Sequence, residues 1–233
     1  QGLGVAAHHG LAEELARARV KTAHFLDIRA VAVLTAMDQP LGRYVGNALE
    51  VRQAVEVLQG DEKAADYIDC LLSLGGWMVH LGGKAKTPKD GVLRLQALIR
   101  SGEALGKFKE MIKAQGGDLR VIDDLGRLPV AQHSRAVRAE KSGYLTRLDA
   151  RKVGEAAVLL GAGRTHMEQA LDYGAGIILD KKAGEPVKKG ERLATLYGAD
   201  RIKLEEAHDC FRGALGFGRS APKLSPVIIK TLR

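Results

Sequence analysis

The stretch from Ala30 to Leu58 constrains the fold of this chain more than any other part of its sequence. It begins with a continuous apolar run, Ala30–Leu34, which is typical of a strand buried on both faces. Pro40 then ends any strand pairing, and two glycines in the same loop permit a tight turn. Asn47, with Glu50 three residues later, predicts an N-cap and capping box that open a helix. The pattern is strand, loop, helix, and in an open α/β sheet such a loop lies at the carboxyl edge where ligands bind.

The rest of the sequence divides into a helix-rich part and a strand-rich part. We predict two domains: residues 1–128 form a helix-rich α/β portion, and residues 129–233 form a C-terminal α+β domain, with shorter segments and recurring glycines. The fold class is therefore α/β, with a mixed sheet flanked by helices and followed by a barrel-sandwich-like C-terminal region. Helices are predicted over 11–25, 47–58, 61–81, 87–98, 103–115, 149–160 and from Asp200 or Lys203 to Leu215; strands are predicted within 137–148 and over 177–179, 186–187, 193–196 and 226–229.

Composition excludes some classes of function. Lysine and arginine number 36 against 28 acidic residues, which gives a net charge of +8 and indicates attraction to anions. The basic residues are dispersed and only 4% of residues are aromatic, so we do not expect nucleic-acid binding, whereas a phosphate-bearing small substrate fits the charge. No apolar run approaches the roughly 20 residues of a membrane helix. Cys70 and Cys210 lack any zinc-binding spacing, so we expect two free thiols in the cytoplasm.

A second glycine-bearing pattern lies in the C-terminal part. Residues Gly184–Leu193 resemble the turn-and-strand repeat of biotinyl- and lipoyl-type domains, which carry a modified lysine at a hairpin tip. Lys181 is the candidate for such a carrier lysine, but it precedes the repeat. We therefore interpret the lysine pair Lys181–Lys182 as a solvated turn. No nucleotide-binding, metalloprotease or serine-hydrolase motif occurs, and no carboxylate pair suggests acid–base chemistry.

The loop carries a resemblance to a known family. The segments Thr35–Gly42 and Gly46–Val51 are similar to the pyrimidine-nucleoside and thymidine phosphorylase family. Further motifs follow in the order of that family, so the resemblance covers roughly residues 28–215. They are Leu74–Gly76, Leu81–Ala85, Ala114–Asp118, Ser142–Tyr144, Leu159–Arg164, Asp172, Gly176 and the Gly184–Leu193 repeat.

The resemblance implies reversible phosphorolysis, in which inorganic phosphate attacks the anomeric carbon of a pyrimidine nucleoside and gives a free base and a pentose 1-phosphate. It also implies a homodimer. The groups that hold phosphate and base in that family belong to motifs that this sequence lacks, so we predict no catalytic and no substrate-binding residue in this chain. Because the sequence begins at Gln1 without an initiator methionine, we expect a piece of a longer enzyme.

One site does carry over from the resemblance. Family members bind potassium with main-chain oxygens of this loop and a glutamate of the next helix, and the matching positions here are Leu41, Tyr44 and Gln53. Two alternatives to the phosphorylase remain open at this stage. One is a non-catalytic binding or scaffold module derived from the family, and the other is a phosphorylase that acts on nucleoside monophosphates.

Overall fold

The structure is a computed structural model that describes residues 9–164 and 166–233, and it divides into two compact units. Each unit gathers segments that are distant in the sequence. Unit 1 comprises Gln1–Ala36 (described from His9), Asp66–Ser101 and Ser225–Arg233; unit 2 comprises Met37–Ala65 and Gly102–Leu224. The predicted division into domains 1–128 and 129–233 stays a prediction.

The described residues contain eight α-helices and nine strands, so the predicted α/β class is confirmed. The helices are α1 (His9–Phe25), α2 (Asn47–Leu58), α3 (Ala65–Leu81), α4 (Pro88–Arg100), α5 (Glu103–Ala114), α6 (Arg120–Asp123), α7 (Ala150–Leu160) and α8 (Arg201–Arg212), with a 3₁₀ turn at Leu125–Arg127. The strands are β1 (Ala32–Thr35), β2 (Tyr44–Val45), β3 (His133–Arg138), β4 (Gly143–Leu148), β5 (Gly176–Leu179), β6 (Pro186–Val187), β7 (Arg192–Gly198), β8 (Leu215–Gly218) and β9 (Ile228–Leu232).

In unit 1, helices α1, α3 and α4 accompany a two-stranded antiparallel sheet of β1 and β9. Helices α3 and α4 approach closely where two glycines meet: a Cβ on Gly91 would lie 2.4 Å from the carbonyl oxygen of Gly76. The start of α4 is as predicted. Thr87 is its N-cap, Pro88 is its first residue, and the Thr87 hydroxyl accepts a hydrogen bond from the amide of Asp90 at 3.1 Å, which forms half of a capping box.

The prediction of a doubly buried strand at the start of the loop is wrong. All four residues of β1 are half-buried, and the strand pairs only with β9 among the described residues. Every strand pairing among the described residues is antiparallel, so the predicted mixed sheet is not found among them. A run of apolar residues indicates that a strand can be buried, but it does not name the neighbouring strands that would bury it.

Unit 2 is built on two antiparallel sheets. One has four strands in the order β2-β5-β7-β3, and the other has three in the order β6-β4-β8; neither closes into a barrel in the described residues. Helices α7 and α8 pack together and bury Val153, Ala156, Ala207 and Phe211 in the core with the strands. The predicted strand-rich C-terminal region is therefore present as two open sheets.

Several local predictions need correction. Asn47 is not the N-cap of α2: Gly46 holds that position, and the Asn47 amide donates instead to the carbonyl oxygen of Ala162 at 2.9 Å. Asp61 does not begin a helix, because its carboxylate accepts bonds from the amide and ammonium of Lys63, and α3 starts at Ala65. Strands β2 and β8 were not predicted. None of the helices that the structure describes is both long and apolar enough to span a membrane.

Candidate functional site

The loop that follows β1 belongs to unit 2 and packs against the turn between β5 and β6. Three side chains hold the loop in place through hydrogen bonds. The first is Gln39, whose Oε1 accepts a hydrogen bond from the amide of Ala183 at 3.1 Å. This contact places the loop beside residues 180–185, instead of at the carboxyl edge of a parallel sheet as the sequence suggested.

The second of these side chains is that of Lys182, which has a buried ammonium group. Lys182 is only 7% exposed, and its Nζ donates to the carbonyl oxygens of Pro40 and, at 2.9 Å, of Gly42. Hydrogen bonds from a charged donor are stronger than those between neutral groups. The interpretation of Lys181–Lys182 as a solvated turn is thus wrong for Lys182. Only Lys181 is turned toward the surface, where its ammonium contacts the carboxylate of Glu191 at 3.0 Å.

The third side chain that holds the loop is that of Gln53 on α2, and this residue is 3% exposed. Its Oε1 accepts hydrogen bonds from the backbone amides of Arg43 at 2.7 Å and Tyr44 at 3.3 Å. Gly42 lies directly against this side chain, with φ of 73°, and a Cβ there would lie 2.4 Å from Nε2 of Gln53. Glycine is therefore required at position 42 both for its backbone angle and for space.

These contacts show how the predicted potassium ligands are arranged. The loop and α2 bring Leu41, Tyr44 and Gln53 to one region, but the side chain of Gln53 has no free oxygen for a cation. Oε1 of Gln53 already accepts two amide hydrogens. The other terminal atom of the side chain is Nε2, which is a hydrogen-bond donor and cannot ligate an ion. A glutamate would have a second oxygen in its place. The described residues also hold no cluster of three or more histidine, cysteine or acidic side chains suited to a metal.

Arg43 ties the same loop to two neighbouring segments. Its guanidinium donates to the carbonyl oxygens of Lys63 at 3.3 Å and Asp180 at 2.9 Å, and it forms an ion pair with Glu185 at 2.6 Å. No pattern in the sequence points to Arg43 or to Lys182, because their partners are 20 to 142 residues away.

A pocket of about 440 Å³ opens beside these residues within unit 2. Tyr44 lines it, and burial, followed by the charge of Glu56 and a hydrogen bond to it, raises the pKa of Tyr44 to about 12. The Tyr44 hydroxyl is protonated at neutral pH, as that of any ordinary tyrosine is, and the raised pKa keeps it protonated to higher pH. Glu56 is in turn paired with Arg52 at 2.9 Å. Charges of both signs line the pocket, and they form ion pairs instead of an acid–base constellation.

One family model, described as the α/β domain of a glycosyl transferase family, matches residues 5–105, and a second, the C-terminal domain of pyrimidine nucleoside phosphorylase, matches residues 144–218. The loop lies within the first match.

Individual relatives agree with these matches. The pyrimidine-nucleoside phosphorylase of Bacillus subtilis (strain 168) is 40% identical over 222 residues, which are 94% of this chain and 50% of the relative. That of Staphylococcus aureus (strain USA300) is 44% identical over 186 residues, 80% of this chain and 43% of the relative. The chain thus spans about half the length of the curated relatives that it matches.

Proposed function

We infer that this chain, which belongs to the pyrimidine-nucleoside phosphorylase family, forms part of an enzyme that catalyses phosphorolysis of pyrimidine nucleosides. In this reaction a phosphate oxygen forms a bond to the anomeric carbon while the bond from that carbon to the pyrimidine nitrogen breaks. The pyrimidine leaves with the electron pair and takes up a proton, and the other product is a pentose 1-phosphate. The substrates we propose are uridine- and thymidine-type nucleosides.

One observation carries the proposal. The two family models match in succession, at residues 5–105 and 144–218, and relatives named as phosphorylases are 40% identical over 222 residues and 44% identical over 186 residues. A chance likeness, or a likeness in fold alone, would not extend over two successive domains at this identity. A scaffold module derived from the family would share these matches, so activity itself must separate the two hypotheses.

Within such an enzyme we assign this chain a structural role in the site. Phosphorolysis needs donors that hold phosphate and polarise the departing base, and we propose that further residues of the enzyme, beyond these 233, supply them. The fastened loop would then position its neighbours and would make no bond to the reacting atoms. No step in this proposal passes through potassium, because Gln53 offers a donor where an ion would need an oxygen.

The experiment compares this chain with a longer chain that includes any coding sequence preceding Gln1. Release of uracil from uridine and of thymine from thymidine is measured with and without inorganic phosphate. We expect phosphate-dependent release from the longer chain and none from these 233 residues alone. A longer chain that folds but releases no base would overturn the proposal and favour the scaffold module.

The longer chain also serves to test the substrate and the oligomeric state. Uridine 5′-monophosphate as the substrate tests the monophosphate alternative, since preferential release of uracil from it would replace nucleosides in the proposal. We also propose that the whole enzyme is a cytoplasmic homodimer, on the basis of the family resemblance. Light scattering of the longer chain tests the dimer, and a monomeric mass would refute it.

A further inference from the structure

A second pocket lies wholly within unit 1 and has a different electrostatic character. Its volume is about 400 Å³, within the usual range for small-ligand sites. Three cationic side chains and an indole line it, and none of the lining side chains in the described part of the chain is acidic. The side chains that matter for the argument are those of Arg29, Trp77, Lys86 and Arg233, together with the imidazoles of His24 and His80.

The three cations come from separate segments, and none of them forms an ion pair with a carboxylate among residues 9–164 and 166–233. Arg29 donates to the carbonyl oxygen of Leu81 at 2.6 Å, which uses one of its five N–H groups. The guanidinium of Arg233 stands over the ring of Trp77, 4.8 Å from its centroid. By contrast, the guanidinium of Arg43 in unit 2 is paired with a carboxylate, that of Glu185.

The carboxylates nearest to the lining cations along the chain, those of Asp27 and Asp90, do not line the pocket. Asp90 follows Lys86 by four residues, and its Oδ2 accepts hydrogen bonds from the amide and the hydroxyl of Thr87 at 3.0 and 2.8 Å. This bonding completes the capping box and occupies the start of α4. Like charges that converge on one concavity repel each other, and a bound anion relieves that repulsion.

We propose that this pocket of unit 1 binds a small phosphate ester, with Arg29, Lys86 and Arg233 contacting the phosphate and Trp77 contacting the organic group. A guanidinium matches two phosphate oxygens with parallel N–H groups, and an ammonium adds a point charge. The indole offers an apolar face to a sugar or a base, which inorganic phosphate would not use. This proposal does not rest on phosphorolysis.

Trp77 provides the signal for the test, because it is the only tryptophan in the sequence. The full chain is titrated with ribose 5-phosphate at constant ionic strength, with ribose as the uncharged control, and both tryptophan emission and the heat of binding are recorded. We expect a saturable change with ribose 5-phosphate and none with ribose. If neither readout saturates, or if ribose gives the same response, the proposal is overturned.

Matched variants separate a site from general attraction to a basic protein. Lys86→Gln removes a lining cation, and Lys89→Gln removes an exposed cation three residues away that does not line the pocket. Loss of one charge-assisted hydrogen bond should weaken binding about tenfold in Lys86→Gln, while Lys89→Gln stays within about twofold of the original chain. Both lysines are exposed, so the variants should fold, which circular dichroism checks. Equal weakening in the two variants would reduce the effect to non-specific electrostatics and refute the site.

Discussion

Replacing Lys182 by methionine tests whether a buried ammonium fastens the loop around Pro40. Methionine keeps most of the length and volume of the lysine side chain but has no donor, so the change removes the bonds to the carbonyl oxygens of Pro40 and Gly42 without opening a large cavity. The rest of the loop, including the bonds accepted by Gln39 and Gln53, is untouched in the variant.

The expected magnitude follows from these two bonds. A hydrogen bond from a charged group contributes about 1.5–3 kcal/mol, so the two together contribute about 3–6 kcal/mol. The cost of burying the ammonium offsets part of this, and that cost is also removed by methionine. Pro40 is only half-buried, so its carbonyl can take a water instead, whereas that of Gly42 is buried. We therefore expect the free energy of unfolding to fall by about 2–3 kcal/mol.

Urea unfolding followed by circular dichroism measures this loss, and hydrogen exchange localises it. The amide of Ala183, which donates to Gln39, should exchange faster in Lys182→Met, because the loop that carries Gln39 is no longer anchored. Lys189→Met is the control, since Lys189 is exposed on the turn of the Gly184–Leu193 repeat, and it should change the stability by less than about 0.5 kcal/mol. A Lys182→Met variant as stable as this control would refute the idea that the ammonium holds the loop.

Three further predictions concern the same loop. Gly42→Ala should lower the free energy of unfolding in urea by about 2–3 kcal/mol, since the new Cβ would displace Gln53. The control Gly190→Ala, where φ is 82° and the space is open, should lower it by about 1 kcal/mol. Equal losses in the two variants would refute the steric argument. Because the pKa of Tyr44 is raised to about 12, one of the five tyrosines should ionise late in an absorbance titration, and the stabilisation it gives below pH 10 should be lost as the pH rises toward 12. Tyr44→Phe should remove that late step, and its persistence would assign it elsewhere. Melting temperatures in matched potassium and choline buffers should coincide for the original chain and differ by about 3 °C for Gln53→Glu, which supplies the missing oxygen; a difference already present in the original chain would support the potassium site predicted from the sequence.

Helices whose ends depend on neighbouring residues could be predicted from the sequence. The start of α4 is an example, because the Thr87–Asp90 capping box involves residues three apart and Pro88 excludes most alternatives. The end of α7 is another, because Gly161 adopts the left-handed conformation that stops a helix. In both cases the bonds that decide the structure lie within a few residues of each other.

Features that depend on distant partners could not be predicted. Strand β2 has two residues and exists because Tyr44 and Val45 pair with Ile178 and Ile177, more than 130 residues away. Lys182 is buried for the same kind of reason, since its acceptors lie 140 and 142 residues earlier. A lysine pair in a glycine-bearing turn is typical of a solvated surface, and only the tertiary structure distinguishes its two members.

The hydrogen bonds of Gln39, Lys182 and Gln53 change the role that the loop can have in a phosphorylase. Its backbone is held by an acceptor at Gln39, a cation at Lys182 and an acceptor at Gln53, and all three belong to this chain. An ion is therefore not needed to fix the loop conformation. Residue 53 then decides whether an ion can add to that order: a carboxylate could accept the amides of Arg43 and Tyr44 with one oxygen and ligate with the other, whereas an amide has only one oxygen and has used it. The identity of residue 53 thus separates two properties of the motif, its folded shape and its affinity for a cation: this chain has the contacts that fix the first, and its Gln53 has no free oxygen to contribute to the second.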